Sequence, residues 1–243
     1  MKTTNAIRVV CSTVKLIRNS GDLEDVIKLA DIVVKPDALE RYAKILNEDP
    51  AIRASFKNRI RIAPMDLKRL KALPEGTLGR EFHLFVKAND IDPSSLPIRP
   101  HSTDAEYIMA HLYETHDIYH VVTGFGTDVA GELGVQGFYA AQSPNPHALL
   151  LLGGGLFNTM LYNMNRQDAI LKTIVRGWLL GKSSRILFGT NWNELWHLPL
   201  ADVREQFGIR VEAVNAIAPG GHENFFADRL PITETRRIEC TRQ

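Results

Sequence analysis

An all-α fold is what this sequence predicts, on three observations. Apolar residues recur at three- and four-residue spacings along most of the chain. Runs that alternate apolar with polar residues over the length of a strand are hard to find. The periodic stretches are punctuated by Gly, Pro, Asn and Ser at helix-length intervals. With 44% hydrophobic residues among 243, the chain can bury a substantial core. No repeat, low-complexity tract or shift of composition divides it. A single-domain multi-helix bundle over residues 1–243 is therefore expected, with N-terminal helices in 1–90, a central pair at about 103–142, and C-terminal helices and a loop in 146–243.

In order along the chain, Ile7, Val10, Val14 and Ile17 form one apolar stripe, and Asn19-Ser20-Gly21 separates it from a second running from Leu23 to Val34, which Pro36 ends. The first stripe, flanked by Arg8, Lys15 and Arg18, suits a docking helix or a dimer contact better than an anionic bilayer. Leu39, Tyr42, Ala43 and Leu46 predict a third helix. Met65 to Leu73 and Leu78 to Ala88 predict shorter ones, split by Pro74-Glu75-Gly76. Asn89 to His101, with Pro93, Pro97 and Pro100, has no apolar period and reads as a linker. Thr103 with Glu106 three residues on is a capping-box signal for a helix that runs to Gly124-Phe125-Gly126. Thr127 or Asp128 then caps a helix through Glu132, Gln136 and Tyr139, which Ser143-Pro144-Asn145-Pro146 stops. Helices follow over Ala148 to Met164 and Gln167 to Leu180. A last one uses Leu200, Val203 and Phe207 and ends at Gly208, and the periodicity fades from Asn215. The apolar Leu149 to Phe157 reads first as core; an apolar channel opened by Gly153 to Gly155 is the alternative.

Charge and cysteine usage exclude several classes of function. Twenty-nine basic residues against 28 acidic ones leave no electrostatic footprint for nucleic acid. Cys11 and Cys240 lie at opposite ends, outside any CxxC or Cys/His spacing, which suits a reducing compartment. No apolar run approaches the roughly 18 residues of a spanning helix, and the N-terminus resembles neither a signal nor a transit peptide. A cytoplasmic chain that meets membranes only from outside is expected. Gly181-Lys182-Ser183 resembles the end of a phosphate loop, but Arg176 stands where that loop needs its first glycine. His83, His101, His111, His147, His197 and His222 lack partner spacing and read as structural or exposed.

The segment His116-Asp117-Ile118-Tyr119-His120, with Glu132 after eleven intervening residues, carries the chemistry. Residues four apart share a helix face, so His116 and His120 can close on one ion, and they share that face with Met109, Leu112 and Tyr113, which points them inward. Burying several ionisable groups without a counter-ion is costly, which puts a metal ahead of two satisfied core histidines. Asp117, rotated by about 100° from His116, has three open roles: direct ligand, partner fixing an imidazole tautomer, or base acting on bound water. The glycines at 124 and 126 let the Glu132 helix fold back.

His-Asp-x-x-His, eleven residues, then Glu resembles the signature of the coenzyme Q (ubiquinone) biosynthesis protein 4 family. Here it stands in HDIYHVVTGFGTDVAGE, and LPEGTLGREFHLF, DAEYIMAHLYETHD and the Trp192 to Ile209 stretch with Arg204 extend the likeness over roughly Leu73 to Ile209. The resemblance implies a helical protein binding a divalent metal at His116, Asp117, His120 and Glu132, between two consecutive helices. Zinc is the first choice and magnesium or iron the others. It implies work in ubiquinone biosynthesis, both in organising the enzyme complex and at carbon 1 of a polyprenylated benzoate ring, where a carboxylate is lost and a hydroxyl installed. A non-catalytic prenyl-lipid-binding scaffold with a structural metal is the alternative. Expected partners are a prenylated quinone precursor or prenyl lipid, other quinone-biosynthesis proteins, the membrane surface as a peripheral contact, and a second copy of the chain.

Overall fold

The structure, a computed structural model, describes residues 34, 36–95 and 99–217. Both N-terminal stripes except Val34, and the loop from 218 onward with His222, lie outside the described residues. Among the described residues ten α-helices follow one another: α1 (Pro36–Leu46), α2 (Pro50–Asn58), α3 (Leu67–Lys71), α4 (Leu78–Ala88), α5 (Asp104–Thr123), α6 (Val129–Gln142), α7 (Pro146–Tyr162), α8 (Gln167–Ser183), α9 (Leu200–Phe207) and α10 (Val211–Ile217). Among the described residues no strand forms, and one isolated bridge joins Thr77 to Pro199.

The helix starts follow the local chemistry. Thr103 accepts from the Glu106 backbone N–H while Glu106 reaches back to Thr103, so the capping box forms and satisfies donors that have no partner inside the helix. Asp128 caps α6 through the Gly131 N–H, and Asn145 caps α7 with Pro146 in the first turn, where the missing N–H costs nothing. Pro36 likewise opens α1. The Asn89 to His101 linker contains a short 3₁₀ turn over Pro93–Ser95.

Two helices were not read from the sequence. In α2, which Pro50 opens, Ile52, Ser55 and Phe56 are buried at helical spacing; in α10, Val211 and Val214 are buried.

Helix α5 lies at the centre, in contact with α1, α4, α6 and α9. Tyr107, Ile108, Ile118, Tyr119, Val121 and Val122 are all buried, so the helix is covered nearly all round and its apolar stripe is indistinct. Phe56, Phe82, Phe85, Phe138 and Trp192 fill the core around it, each contributing about 1.5–3 kcal/mol. The start of α4 is tied to the segment before α9: Leu78 and Gly79 donate to the Leu198 and Trp196 carbonyls at 2.8 and 2.9 Å, and Leu200 donates to Gly76.

Helices α6 and α8 pack backbone to backbone. A Cβ at Gly177 would sit 2.0 Å from the Gly134 carbonyl oxygen, and one at Gly137 2.7 Å from that of Ile174, so only glycine permits this approach.

Helix α7 corrects an expectation. Its inner face is small or polar (Ala148, Gly155, Asn158, Thr159), and Leu149, Leu156, Phe157, Met160 and Leu161 face outward. The segment read as core is therefore an exposed apolar face, continued on α8 by Leu171, Val175 and Trp178. Leu133 of α6 fills the space beside Gly155, so this face of α7 has room for small side chains and its large ones lie on the other side.

Candidate metal centre

The site forms where α5 turns back into α6. Gly124 ends α5 in the left-handed conformation (φ 77°), which a side chain rarely adopts. Gly131 lets the Gly126 carbonyl press against the first turn of α6, where a Cβ would lie 2.1 Å from that oxygen. The reversal brings Glu132 against two histidines one turn apart on α5.

His120 Nε2 lies 3.2 Å from His116 Nε2 and 3.3 Å from Glu132 Oε1, and His116 Nε2 lies 3.3 Å from Glu132 Oε2. Each imidazole thus faces one oxygen of the same carboxylate, and the three side chains offer ligand atoms within 4.8 Å of one another. His120 is fully buried, its ring stacks at 5.5 Å on Phe85, and its Nδ1 is 3.2 Å from the Phe125 carbonyl. A carbonyl can only accept, so Nδ1 carries the proton and Nε2 presents a lone pair to the cluster. His116 and Glu132 keep 21% and 35% of their side chains exposed, which leaves the cluster open on one side.

The electrostatics fit a cation. Desolvation opposes charge on Glu132, but the charges and hydrogen bonds of His120 and His116 outweigh it and hold the carboxyl well below the usual carboxylate range. Desolvation also opposes charge on His116, and there the Glu132 hydrogen bond, with the charges of Glu132 and Asp117, prevails and raises it. Two lone-pair nitrogens and an anionic oxygen converging this closely repel one another unless a proton or a metal ion sits among them.

Three of the four residues read from the sequence thus come together: His116, His120 and Glu132. Asp117 is half-buried and outside this cluster; its negative charge acts on His116 and on Tyr139. Two contributors escaped the sequence. The Phe125 carbonyl, being backbone, leaves no signature. Tyr139, two turns from Glu132 on the same face of α6, stacks on Tyr119 at 4.5 Å and lies 6.3 Å from the His116 ring, nearly parallel to it. Its only signal was the seven-residue spacing.

The remaining histidines keep apart. His111 is buried and bonded to backbone on both sides, and His101 and His197 are exposed. Arg204 donates to the Val122 and Val121 carbonyls at 2.9 and 3.2 Å, satisfying two acceptors in the last turn of α5.

A helical bundle with a two-histidine, one-carboxylate cluster between consecutive helices is the class that fold and site define. The family model for coenzyme Q (ubiquinone) biosynthesis protein Coq4 matches residues 1–212, and the chain belongs to that family. The mitochondrial ubiquinone biosynthesis protein COQ4 homolog of Rattus norvegicus is 30% identical over 171 residues, 69% of this chain and 60% of the relative. The Homo sapiens homolog is 28% identical over the same shares. The chain therefore spans about 60% of the length of these curated relatives. A crystal structure of a Nostoc punctiforme protein assigned to ubiquinone biosynthesis superposes with a TM-score of 0.74 at 30% identity, covering 85% of this chain and 99% of that one.

Proposed function

We propose that the chain serves ubiquinone, or a related prenylquinone, biosynthesis as a metal-dependent enzyme acting at carbon 1 of a polyprenylated hydroxybenzoate ring. Family membership and the likeness to ubiquinone biosynthesis proteins support the pathway. The observation that carries the chemistry is the triangle of His116, His120 and Glu132. Imidazole nitrogens with a carboxylate oxygen are donors that zinc accepts, so zinc is the first choice, ahead of magnesium and iron. Two histidines, one carboxylate and an open side make the ligand set of a catalytic zinc, not of a closed structural one.

When bound, the metal supplies a Lewis acid that draws in a carboxylate or ring oxygen and stabilises developing negative charge. His116, His120 and Glu132 hold it, and the Phe125 carbonyl and the Phe85 ring fix His120. Asp117 orients His116 or moves a proton at the ring oxygen. In the decarboxylation the bond from carbon 1 to the carboxylate breaks, its electron pair stays with the ring and carbon dioxide leaves. A proton takes up that pair, and installing the hydroxyl then draws one oxygen atom from dioxygen, the other leaving as water with two electrons from an external reductant.

A second reading, a prenyl-lipid-binding scaffold with a structural metal, is favoured by the outward apolar face of α7 and α8. That face is the natural contact for a prenyl chain, a membrane surface, a second copy or another quinone-biosynthesis protein. No described helix is long and apolar enough to cross a membrane.

Elemental analysis of the purified wild type beside His120→Ala and Glu132→Ala, with lipids extracted from the same samples, tests both readings. The expected result is near-stoichiometric metal in the wild type, lost in both variants while prenyl lipid still co-purifies. Full metal retention in both variants overturns the ligand assignment and leaves the scaffold.

A further inference from the structure

The α5–α6 seam holds one polar group that the metal ligands do not use. Glu132, Gln136 and Tyr139 follow one another at four- and three-residue steps on the face of α6 turned to α5, and all three rise from the same wall of the site. Tyr139 is 7% exposed, and among the described residues its hydroxyl has no hydrogen-bond partner. Its ring is fixed by Tyr119 on α5 at 4.5 Å and by His116 at 6.3 Å, so the hydroxyl cannot swing out to solvent without breaking that stack. Phenylalanine would fill the same space without burying a polar atom, and leaving a buried hydroxyl unpaired is unfavourable. An ordinary tyrosine value of about 10 keeps the phenol protonated near neutral pH, a donor and not an anion. Such a donor on a ring stacked beside His116 is suited to an oxygen that carries negative charge.

We propose that Tyr139 is a ligand-positioning residue of this centre, donating its hydroxyl hydrogen to a carboxylate or phenolate oxygen of the group bound at the open side of the His116–His120–Glu132 cluster. The inference rests on the metal reading of that cluster. It adds a polarity requirement: an aromatic acid is held at two points, by the cation and by the phenol, and a ligand without a second oxygen loses one of them.

Cobalt(II) in place of the native ion makes the test direct, because its visible bands report ligands entering the coordination shell. Wild type and Tyr139→Phe are loaded with cobalt, checked for metal content and titrated with benzoate and with 4-hydroxybenzoate; the melting temperatures of the metal-free proteins are compared. Expected are equal cobalt content, a metal-free Tyr139→Phe that melts no lower than the wild type, and affinity for either acid weakened about tenfold, the equivalent of about 1.4 kcal/mol. Equal affinity in the two cobalt-loaded proteins overturns this inference and leaves the metal reading intact. A Tyr139→Phe protein that loses cobalt or melts several degrees lower shows the hydroxyl to be structural, which also overturns it. A wild type that takes up no cobalt, or whose bands ignore both acids, overturns the inference along with the open metal site beneath it.

Discussion

At the scale of single residues, the histidines of α5 divide by what their second nitrogen meets. His120 gives one nitrogen to the Phe125 carbonyl and turns the other to the cluster. His111, nine residues earlier, accepts from the Gly189 N–H at 3.0 Å through Nε2 and faces the Ile60 carbonyl through Nδ1 at 3.3 Å. Backbone partners on both sides occupy a neutral ring fully and leave it no ligand role. Burial pushes His111 down to about 4, which exceeds the opposing effect of the Ile60 contact. The folded state therefore resists protonation that the unfolded chain accepts at an ordinary histidine value of about 6.5. Its contribution is complete above about pH 6.5 and is lost progressively as the pH falls toward 4, on the order of 3 kcal/mol in all. Urea unfolding between pH 7 and pH 4 should show that loss, and His111→Gln, less stable at pH 7, should show a shallower acid decline. A variant with the same pH slope as the wild type would remove His111 as the cause. The sequence listed His111 as structural or exposed, and geometry selects the first: its two partners lie 51 and 78 residues away in the chain, beyond the reach of any spacing rule.

At the scale of elements, the glycines decide where the site helices lie. Gly177 and Gly181 of α8 face the Gly134 and Phe138 carbonyls of α6, Gly137 of α6 faces the Ile174 carbonyl, and α6 carries Glu132 and Tyr139 against α5 from its other side. A methyl group at Gly177 would meet the Gly134 oxygen at 2.0 Å, so the helices must separate. Gly177→Ala should cost about 1–3 kcal/mol, as overpacking does, and should weaken metal affinity, because moving α6 moves Glu132. Gly153→Ala is the control: nothing lies within 4 Å of an added Cβ there, so it should leave stability and metal content near wild type. Chemical denaturation with metal titration on both variants checks the pair, and equal effects would refute the close-packing account. Helix existence was legible wherever a cap residue stood before a long period, as at Thr103 and Asp128. The orientation of α7 was not, because a run as apolar as Leu149 to Phe157 presents no polar face to show which side is outside. The coming together of His116, His120 and Glu132 was legible because two of them share one helix turn and the third follows a glycine turn. The place of Asp117 was not, since a neighbour rotated by about 100° can serve a metal or a ligand equally well.

At the scale of the whole molecule, the cluster ties together two helices that are both core. Helix α5 touches α1, α4, α6 and α9, and α6 touches α7 and α8, so the His116–His120–Glu132 triangle sits where most of the bundle meets. A metal there binds the folded chain and not the unfolded one, because the unfolded chain does not hold the three ligand atoms within 4.8 Å of one another. Its binding energy then becomes folding energy: saturation at about a thousand times the dissociation constant adds about 4 kcal/mol. Chelation should accordingly lower the thermal midpoint by several degrees, and the drop should reverse when metal is returned. In Glu132→Ala the chelator should have almost no effect, since the triangle has lost a corner while the apolar core of α5 and α6 is untouched. Calorimetry of both proteins, with and without chelator, separates two designs. A shared unfolding transition that shifts as a unit means the metal braces the bundle through α5. A chelator-sensitive step preceding main unfolding would mean that the turn from Gly124 to Asp128 opens alone, and that the remaining helices hold α5 in place without the ion.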